Sequence, residues 1–377
     1  PCEPVVCAEP TRCLANGSCI AGSTGPGCSN CISDPPHFEI GNRCQPCPSW
    51  ASWIWIIICT IIIIVFCFLH ENIDNTTNLD SLKILIVYFQ IQLLHLKIDI
   101  PWPQMLLDIM TWMEAILFLS IPEITSIECV MKFSYPTKWM LAFFTTPIAV
   151  GLFLVVSICL NTDNKHSNKK FIRIVYIIIS SFYLYTTLVT VTPWDCTNLS
   201  ENKNVTDYTL DVSPKVHCST ENNQWLYMLI LSLIGIPFYI FGIPVISKTL
   251  QIRMEEFSKY KMGCESYESV SMWLKAFEVF LYVFTTSKPV LMICLSICIQ
   301  SITLSCLVNT KPYKKNSHYQ KERLLLINTI VQLIIGLLTY INLIDGIITT
   351  ASILLSLFVN IIIWVAINDS TQIDSRV

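Results

Sequence analysis

Four cysteines near the start of the chain have a spacing that could bind a metal ion. Cys28 and Cys31 form one Cys-x-x-Cys pair, Cys44 and Cys47 form a second, and an unbroken apolar run follows directly. Four thiolates with this spacing hold zinc in zinc ribbons. The same cysteines would form disulfide bonds in an oxidising compartment. The side of the membrane on which this segment lies therefore decides between the two chemistries.

Composition indicates an integral membrane protein. Of the 377 residues, 53% are hydrophobic and only 14% are charged, whereas a soluble domain has about 25% charged residues. The formal net charge of -3 gives no basic excess for binding nucleic acid. We therefore expect a lipid bilayer as the surroundings of most of the chain, and no nucleic-acid partner.

Seven apolar runs are long enough to cross a bilayer, which takes roughly 20 residues of helix. They lie at about 51–70, 138–160, 171–192, 225–247, 288–308, 323–343 and 347–367. Three further segments, 82–98, 104–121 and 270–286, are shorter or more polar. Each of these three could cross the membrane, re-enter it or lie along its surface.

The distribution of basic residues predicts the orientation. Loops 161–173, 248–262 and 309–323 hold more than half of the 24 Lys and Arg residues, which is typical of cytosolic loops. Loop 194–223 has only two basic residues and is therefore predicted to lie outside. Glycosylation sequons agree with that side for the outer loop and for the N-terminal segment; their acceptors are Asn16, Asn198 and Asn204.

These loops set the direction of each span. The run 138–160 must go inward, so the chain crosses outward once between the first span and residue 138. We assign that crossing to 104–121 and place 82–98, which is rich in polar side chains, along the inner surface. The prediction is an α-helical polytopic membrane protein with about nine transmembrane helices in the plasma or ciliary membrane. Its N-terminus would be outside and its C-terminus cytosolic.

The predicted domains follow from this topology. They are an extracellular Cys-rich module at 1–48, a first transmembrane helix at 49–71, a cytosolic or interfacial segment at 72–103, a multispan helical domain at 104–367 with its outer loop at 194–223, and a cytosolic tail at 368–377. An outer N-terminal segment needs a signal peptide, and the chain starts at Pro1. We therefore expect a processed chain or the C-terminal piece of a longer one.

An outer position favours disulfides over zinc for the N-terminal segment, and no metal is expected there. This segment is too poor in apolar residues to bury a core, so it needs crosslinks. Its Gly-rich run from Cys19 to Cys31 resembles the end of an EGF-like or laminin-type module. In the outer loop, Cys196 and Cys218 either stay free or form a bridge that contributes roughly 3 kcal/mol. The cysteines expected in disulfides are Cys2, Cys7, Cys13, Cys19, Cys28, Cys31, Cys44, Cys47, Cys196 and Cys218.

Charged residues at membrane depth are costly and therefore informative. Asp99, Asp108 and Glu114 lie around a Pro-Trp-Pro turn. They could line a cation path, or they could extend to the inner interface while the turn starts a helix. Lys275 and Glu278 are three residues apart on one helix face, and we expect them to neutralise each other.

A repeated Gly-Ile-Pro motif predicts two bends in one helix. The motif occupies residues 235–237 and again 242–244, and each proline removes a backbone hydrogen bond. The candidate hinge residues are Gly235, Pro237, Gly242 and Pro244. The helix could move at this place, or the bend could be static and serve packing.

No catalytic motif is present in the sequence. It contains no His-Glu-x-x-His, no Gly-x-Ser-x-Gly and no phosphate-binding loop, and its six histidines are dispersed. We therefore expect no enzymatic activity and no cofactor.

The order of features resembles a family of protist surface proteins, including ciliate mating-type proteins, that carry Cys-rich repeats before a multispan region. The residues behind this resemblance are the Cys-rich segment, LKILIVYFQIQLL and IPWP within 82–103, ECVMKF at 128–133, the outer loop from WDC at 194–196 to VHC at 216–218, GIPFYIFGIP at 235–244 and NTKPYKK at 309–315. In outline, the membrane part is also similar to fungal transient-receptor-potential-like proteins, which implies ion conduction.

Two functions follow from these patterns. The first is recognition, adhesion or signalling at the cell surface, with other membrane or extracellular protein subunits as partners. The alternative is a cation channel or a channel subunit. A channel predicts polar residues that converge along a pore, whereas an anchor predicts helices packed shut by Ile and Leu.

Overall fold

A computed structural model describes residues 14, 18–24, 28, 30–32, 37–40, 43–47, 60, 76–98, 134–159, 165–198, 208–253, 260–264, 266–285, 288–341 and 352–353. The structure is described for these residues only. Apart from residues 60, 352 and 353, the predicted spans 51–70, 104–121 and 347–367 lie outside them.

The described chain is mostly helical, with nine α-helices in chain order. They are α1 Thr76–Leu96, α2 Tyr135–Phe143, α3 Thr145–Cys159, α4 Lys165–Val191, α5 Asn223–Gly235, α6 Ile243–Arg253, α7 Ser266–Thr285, α8 Pro289–Thr310 and α9 Asn316–Tyr340. A 3-10 turn at Thr192–Trp194 continues α4, and a π-helical turn at Ile236–Gly242 joins α5 to α6.

Local sequence accounts for several helix ends. The side chain of Asn222 accepts a hydrogen bond from the backbone N–H of Gln224 and so caps the start of α5. Pro289 stands in the first turn of α8, where its missing N–H costs nothing. The same helix ends at Lys311, whose φ of 41° is left-handed.

Four stretches of helix in the described residues are long and apolar enough to cross a membrane. They are Phe171–Trp194, Asn223–Arg253, Pro289–Thr310 and Asn316–Tyr340. A fifth is possible if α2 and the first part of α3, which meet at an angle of 53°, form one broken span. These stretches correspond to predicted runs, and the figure of about nine spans stays a prediction.

The break between α2 and α3 splits the predicted span 138–160. Pro147 has no backbone N–H, so the carbonyl of Phe143 loses its partner within the helix. Sharp kinks typically occur at such prolines. The chain therefore changes direction at Phe144, between the two helices.

The helix α1 runs parallel to α4, α7 and α9 and lies along them. Lys83 and His95 of α1 pair with Glu268 and Glu278 of α7 in the same order. Hydrogen bonds show the same order on the other two helices: Lys83 to Tyr176, Gln90 to Ser181, Asn328 to Tyr88, and Gln92 to Thr329.

This position of α1 differs from the surface helix predicted at 82–98. Every side chain from residue 83 to 96 is buried or half-buried, whereas a helix on a membrane surface leaves one face to water. Lys83, Gln92 and His95 face other helices, where they pair with polar side chains. The structure therefore places this segment inside the bundle.

The bundle has two ends, which we name by their chemistry. The disulfide end carries the Cys196–Cys218 bond and the close of α4. The basic end carries the start of α4 and the loops at 260–264 and 311–315, which meet through a bridge between Tyr260 and Tyr313. Its loops are those rich in Lys and Arg.

Two small hairpins form the described part of the Cys-rich segment. Strand β1 (Ser23–Thr24) pairs with β2 (Asn30–Cys31), and β3 (His37–Ile40) pairs with β4 (Arg43–Pro46), both antiparallel. Gly22, at a φ of 94°, precedes β1 at a position that favours glycine.

Disulfide bonds occupy all four cysteines of the two Cys-x-x-Cys motifs. Cys19 is bonded to Cys28, and Cys31 is bonded to Cys44. Cys47 is also in a disulfide. The bonds thus join each Cys-x-x-Cys motif to residues outside it. The expected disulfides of Cys2, Cys7 and Cys13 lie outside the described residues.

Candidate functional site

A small sheet covers the disulfide end of the helices, and we call residues 195–222 the cap. Strand β5 (Cys196–Asn198) pairs with β6 (Tyr208–Leu210), and β6 pairs with β7 (Ser213–His217). The Cys196–Cys218 disulfide ties the start of the sheet to its end. Of the predicted glycosylation acceptors, Asn198 ends β5, and Asn16 and Asn204 lie outside the described residues.

The cap is packed into the helical core. Leu210 and Val216 are almost fully buried, and they belong to one apolar cluster with residues of α1, α2, α4, α5, α6 and α7. Trp225 of α5 donates a hydrogen bond to the carbonyl of Pro193 at 3.0 Å, and Trp194 donates one to the hydroxyl of Ser232 at 2.8 Å. The cap therefore shares its apolar packing with the helices beneath it, and hydrogen bonds join α5 to the turn that leads into the cap.

Two carboxylates lie close together where the cap joins α4. The backbone N–H of Asp211 donates to the carbonyl of Asp195 at 2.9 Å. Burial, together with the charge of Asp211, raises the pKa of the Asp195 carboxyl from 3.8 to about 7. The folded cap therefore binds a proton that the unfolded chain has already released between these pH values.

We expect Asp195→Asn to stabilise the chain at pH 8 and to have little effect near pH 4. The folded pKa lies above the unfolded one, so the penalty of ionising Asp195 builds up as pH rises from about 4 to 7. The neutral amide never meets this penalty. Thermal unfolding of the purified protein between pH 4 and pH 8 measures the effect, and Glu221→Gln, an exposed change on the cap, is the matched control. An equal shift of the unfolding temperature at both pH values would contradict this explanation.

Three prolines in the helices each leave one backbone carbonyl without its helical hydrogen bond. An aromatic side chain from elsewhere in the bundle donates a hydrogen bond to each of these carbonyls. A proline leaves the carbonyl four residues before it without its helical partner. The freed carbonyls belong to Phe143, Val189 and Ile240, ahead of Pro147, Pro193 and Pro244. They accept hydrogen bonds from Tyr239 Oη at 2.9 Å, Trp139 Nε1 at 2.8 Å and Tyr183 Oη at 3.3 Å, respectively.

These bonds bear on the predicted hinge. The segment with Pro237 and Gly242 forms the π-helical turn, and the helix continues through it as one stretch from 223 to 253. Gly235 packs against the ring of Phe143, and an added Cβ would lie 2.7 Å from that ring. Close packing of Gly235 against Phe143 explains the glycine at this position. Movement of the helix at this place stays a prediction.

Removing the Tyr239 hydroxyl should cost about 1–3 kcal/mol, because it leaves a buried carbonyl without a partner. The decisive comparison makes Tyr239→Phe in two backgrounds, the natural chain and Pro147→Ala. In the second background, the N–H of residue 147 can bond to the carbonyl of Phe143, so the same change should cost much less. Unfolding free energies of the four proteins test this, and an equal cost in both backgrounds would refute it.

Polar side chains form a layer near the basic end, between α1, α4 and α7. Lys83 donates to Glu268 Oε1 at 2.6 Å and to the Tyr176 hydroxyl at 2.7 Å. The hydroxyl of Tyr260 donates to the other oxygen of Glu268. Lys83 and Glu268 are both buried, and a buried ion pair needs such additional hydrogen bonds. The layer joins three helices to the loop at 260–264.

A second polar layer lies in the middle of the bundle. Gln300 of α8 donates to Glu278 Oε1 of α7 at 2.5 Å, and His95 of α1 lies 3.8 Å from the same oxygen. Gln92 donates to the hydroxyl of Thr329 at 2.7 Å. Ten residues of helix, about 15 Å, separate Glu278 from Glu268 in the first layer.

The sequence identified only part of these layers. Asp99, Asp108 and Glu114, the predicted polar path, lie outside the described residues. Lys275 forms no ion pair with Glu278 among the residues described. The sequence does contain a pattern that indicates a polar face on α7. Its residues follow one another at spacings of three, four and three, which places them on one face of the helix; they are Glu268, Ser271, Lys275 and Glu278.

No family model matches this chain, and neither a curated protein nor a solved structure matches it.

Proposed function

We propose that this chain is a cell-surface membrane protein that recognises an extracellular partner and transmits that contact to its helices. The observation that carries the proposal is the cap. It is closed by a disulfide, and its buried Leu210 and Val216 share one apolar cluster with six helices. A partner that pushes or holds the cap would therefore change the packing of the helices beneath it.

The chemistry of the two ends supports the assignment of sides. Disulfides persist in an oxidising compartment, and they occur in both the cap and the Cys-rich segment. Lys and Arg concentrate in the loops of the opposite end, as they do in cytosolic loops. We therefore place the cap outside, at the plasma membrane, with other membrane or extracellular proteins as partners.

The position of α1 lets the Cys-rich segment and the cap share one side. α1 lies parallel to α4, which runs from the basic end to the disulfide end. We propose that α1, and not 104–121, makes the outward crossing. With an inward first span, this keeps the Cys-rich segment outside.

A binding experiment tests recognition. Fluorescent nanodiscs that carry the full chain should bind saturably to intact cells of the type that expresses it, well above empty nanodiscs. The double variant Cys196→Ser/Cys218→Ser should lose about 3 kcal/mol of stability, and we expect it to bind at least about tenfold more weakly because its cap is loosened. Binding no greater than that of empty nanodiscs would overturn the proposal.

A cation channel is the second candidate, because charged side chains lie inside the bundle. Lys83, Glu268 and Glu278 are nearly inaccessible to solvent, and charges at such depth often mark ion or proton pathways. Current recordings of the purified full chain in planar bilayers test this candidate. A reproducible cation-selective current would place conduction ahead of recognition.

A further inference from the structure

Glu278 occupies a central position in the middle polar layer. It is 1% exposed, in a helix that packs against α1, α4, α6 and α8. Its Oε1 accepts the hydrogen bond of Gln300, and the ring of His95, which is 5% exposed, approaches the same oxygen. A carboxyl and an imidazole thus meet where water is excluded.

Several polar atoms of this pair have no hydrogen-bond partner among the described residues. They are Oε2 of Glu278 and both ring nitrogens of His95. A buried polar atom left without a partner costs about 1–3 kcal/mol, and a charged one costs more. Gln300 satisfies only one oxygen of the carboxylate, so the pair keeps buried atoms that a proton can bind.

The polar atoms of this pair suit the binding of a proton better than the binding of a metal ion. A metal site needs three or more ligating side chains, and no group of three His, Cys, Asp or Glu residues that could hold a metal occurs in the part of the chain that the structure describes. A proton needs only one acceptor atom. Oε2 of Glu278 and the unprotonated ring nitrogen of His95 are such acceptors.

In the described part of the chain, the other charged or titratable groups around the pair have partners of their own or lie at different levels of the bundle. Glu268 and Lys83 pair with each other near the basic end, and Lys275 lies about one turn from Glu278 toward that end. Tyr183 and Tyr239, on the neighbouring α4 and π-helical turn, donate their hydroxyls to backbone carbonyls.

On α1, Tyr88 accepts a hydrogen bond from Asn328. On α8 and α9, the polar groups of this level are neutral: Gln300, Thr329 and Gln332. His95 is the charged or titratable partner within ion-pair distance of Glu278 in the described chain.

The surroundings of the pair differ toward the two ends. Toward the disulfide end, an apolar cluster closes the bundle; its buried members are Ile98, Met292, Ile293 and Leu333. Toward the basic end, α7 presents Lys275, Ser271 and Glu268 on the same face as Glu278. Ser271 is buried, and its hydroxyl has no hydrogen-bond partner among the described residues. Polar side chains of α7 therefore follow one another on this face from the pair toward the basic end.

We propose that Glu278 and His95 form a proton-binding site inside the bundle, supplied from the basic end. A proton leaves hydronium and binds to Oε2 of Glu278 or to a ring nitrogen of His95, and no other bond breaks. Each protonation change alters the attraction between α1 and α7, because it changes the charge of one partner. The site exists whether the chain recognises a partner or conducts ions, so its test does not depend on either function.

Infrared difference spectroscopy on the full chain in nanodiscs tests the site. Spectra recorded across a pH series should contain a carboxylic-acid C=O band from a buried group. This band should be absent in Glu278→Gln, which preserves side-chain size, and present in Glu221→Gln, an exposed control. His95→Gln should change the pH dependence of this band, because it removes the ring that faces the carboxyl.

Each other outcome overturns the proposal. It fails if the spectra of Glu278→Gln match those of the natural chain, or if the band does not change with pH while the protein stays folded. It also fails if the pH dependence of the band is the same in His95→Gln, because the ring would then take no part in the site. If Glu278→Gln does not fold, histidine side-chain NMR replaces it. One pH-dependent imidazole signal must then be missing in His95→Gln.

Discussion

Lys83→Met should destabilise the folded chain by about 3–5 kcal/mol, the cost of leaving one partner of a buried ion pair uncompensated. Glu268 would keep its bond from Tyr260 and lose the lysine 2.6 Å from its Oε1. The lysine also lies over the ring of Tyr176, with its Nζ 4.2 Å from the ring centre. That contact would be lost as well.

The double variant Lys83→Met/Glu268→Gln supplies the decisive comparison. It removes both charges and keeps an oxygen that can accept the Tyr260 hydroxyl, so most of the loss should be recovered. Lys288→Met, an exposed change just before α8, should shift stability by no more than about 0.5 kcal/mol. The free energy of unfolding in detergent is measured for all four proteins: the natural chain, the two single variants and the double variant. A double variant as unstable as Lys83→Met alone would show that the ion pair does not hold this layer.

Gly235→Ala and Gly242→Ala should differ sharply, although both glycines start the same Gly-Ile-Pro motif. A Cβ on Gly235 would lie 2.7 and 2.8 Å from two ring atoms of Phe143. That ring is held between Trp139 and Tyr239, each with its ring centre 5.0 Å away. We expect a loss of about 1–3 kcal/mol from this overpacking.

The matched substitution has room. The nearest atom to a Cβ on Gly242 is the carbonyl oxygen of Pro237 at 3.5 Å, an ordinary contact. Ala is a better helix former than Gly by about 1 kcal/mol, so Gly242→Ala should be neutral or stabilising. Phe143→Leu should recover part of the loss in Gly235→Ala, because it clears the space. Equal effects of the two glycine substitutions would contradict the packing explanation of the motif.

Sequence length and apolarity were enough to predict the four membrane-like stretches, because a long apolar run has few other stable states. They could not show how residues 82–98 pack. Charged residues such as Lys83 and His95 are typical of a surface helix, so the sequence favours that interpretation. The partner of Lys83, Glu268, lies 185 residues away in the chain and cannot be identified from the sequence. Such pairing depends on how the helices pack against one another, and the sequence of a single helix does not determine that packing.

The site shows the same division. The crowding of cysteines predicted disulfides, but no spacing rule predicts that Cys31 is bonded to Cys44 and not to Cys28. The two Gly-Ile-Pro motifs are identical as sequence, yet only Gly235 faces a ring. Each proline in a helix shows that one carbonyl needs another hydrogen-bond donor, but the sequence does not show which residue supplies that donor.

Cysteine labelling from one side of the membrane tests most directly whether the Cys-rich segment and the cap share one side, opposite to the basic end. Ser18, Thr220 and Lys261 are exposed in these three regions, and each is replaced in turn by Cys in the full chain. A membrane-impermeant maleimide applied to intact cells should label the variants at Ser18 and Thr220 above the parent chain. It should label the variant at Lys261 only after permeabilisation. Labelling that places Ser18 and Thr220 on opposite sides, or Lys261 with Thr220, would contradict this topology and the surface function built on it.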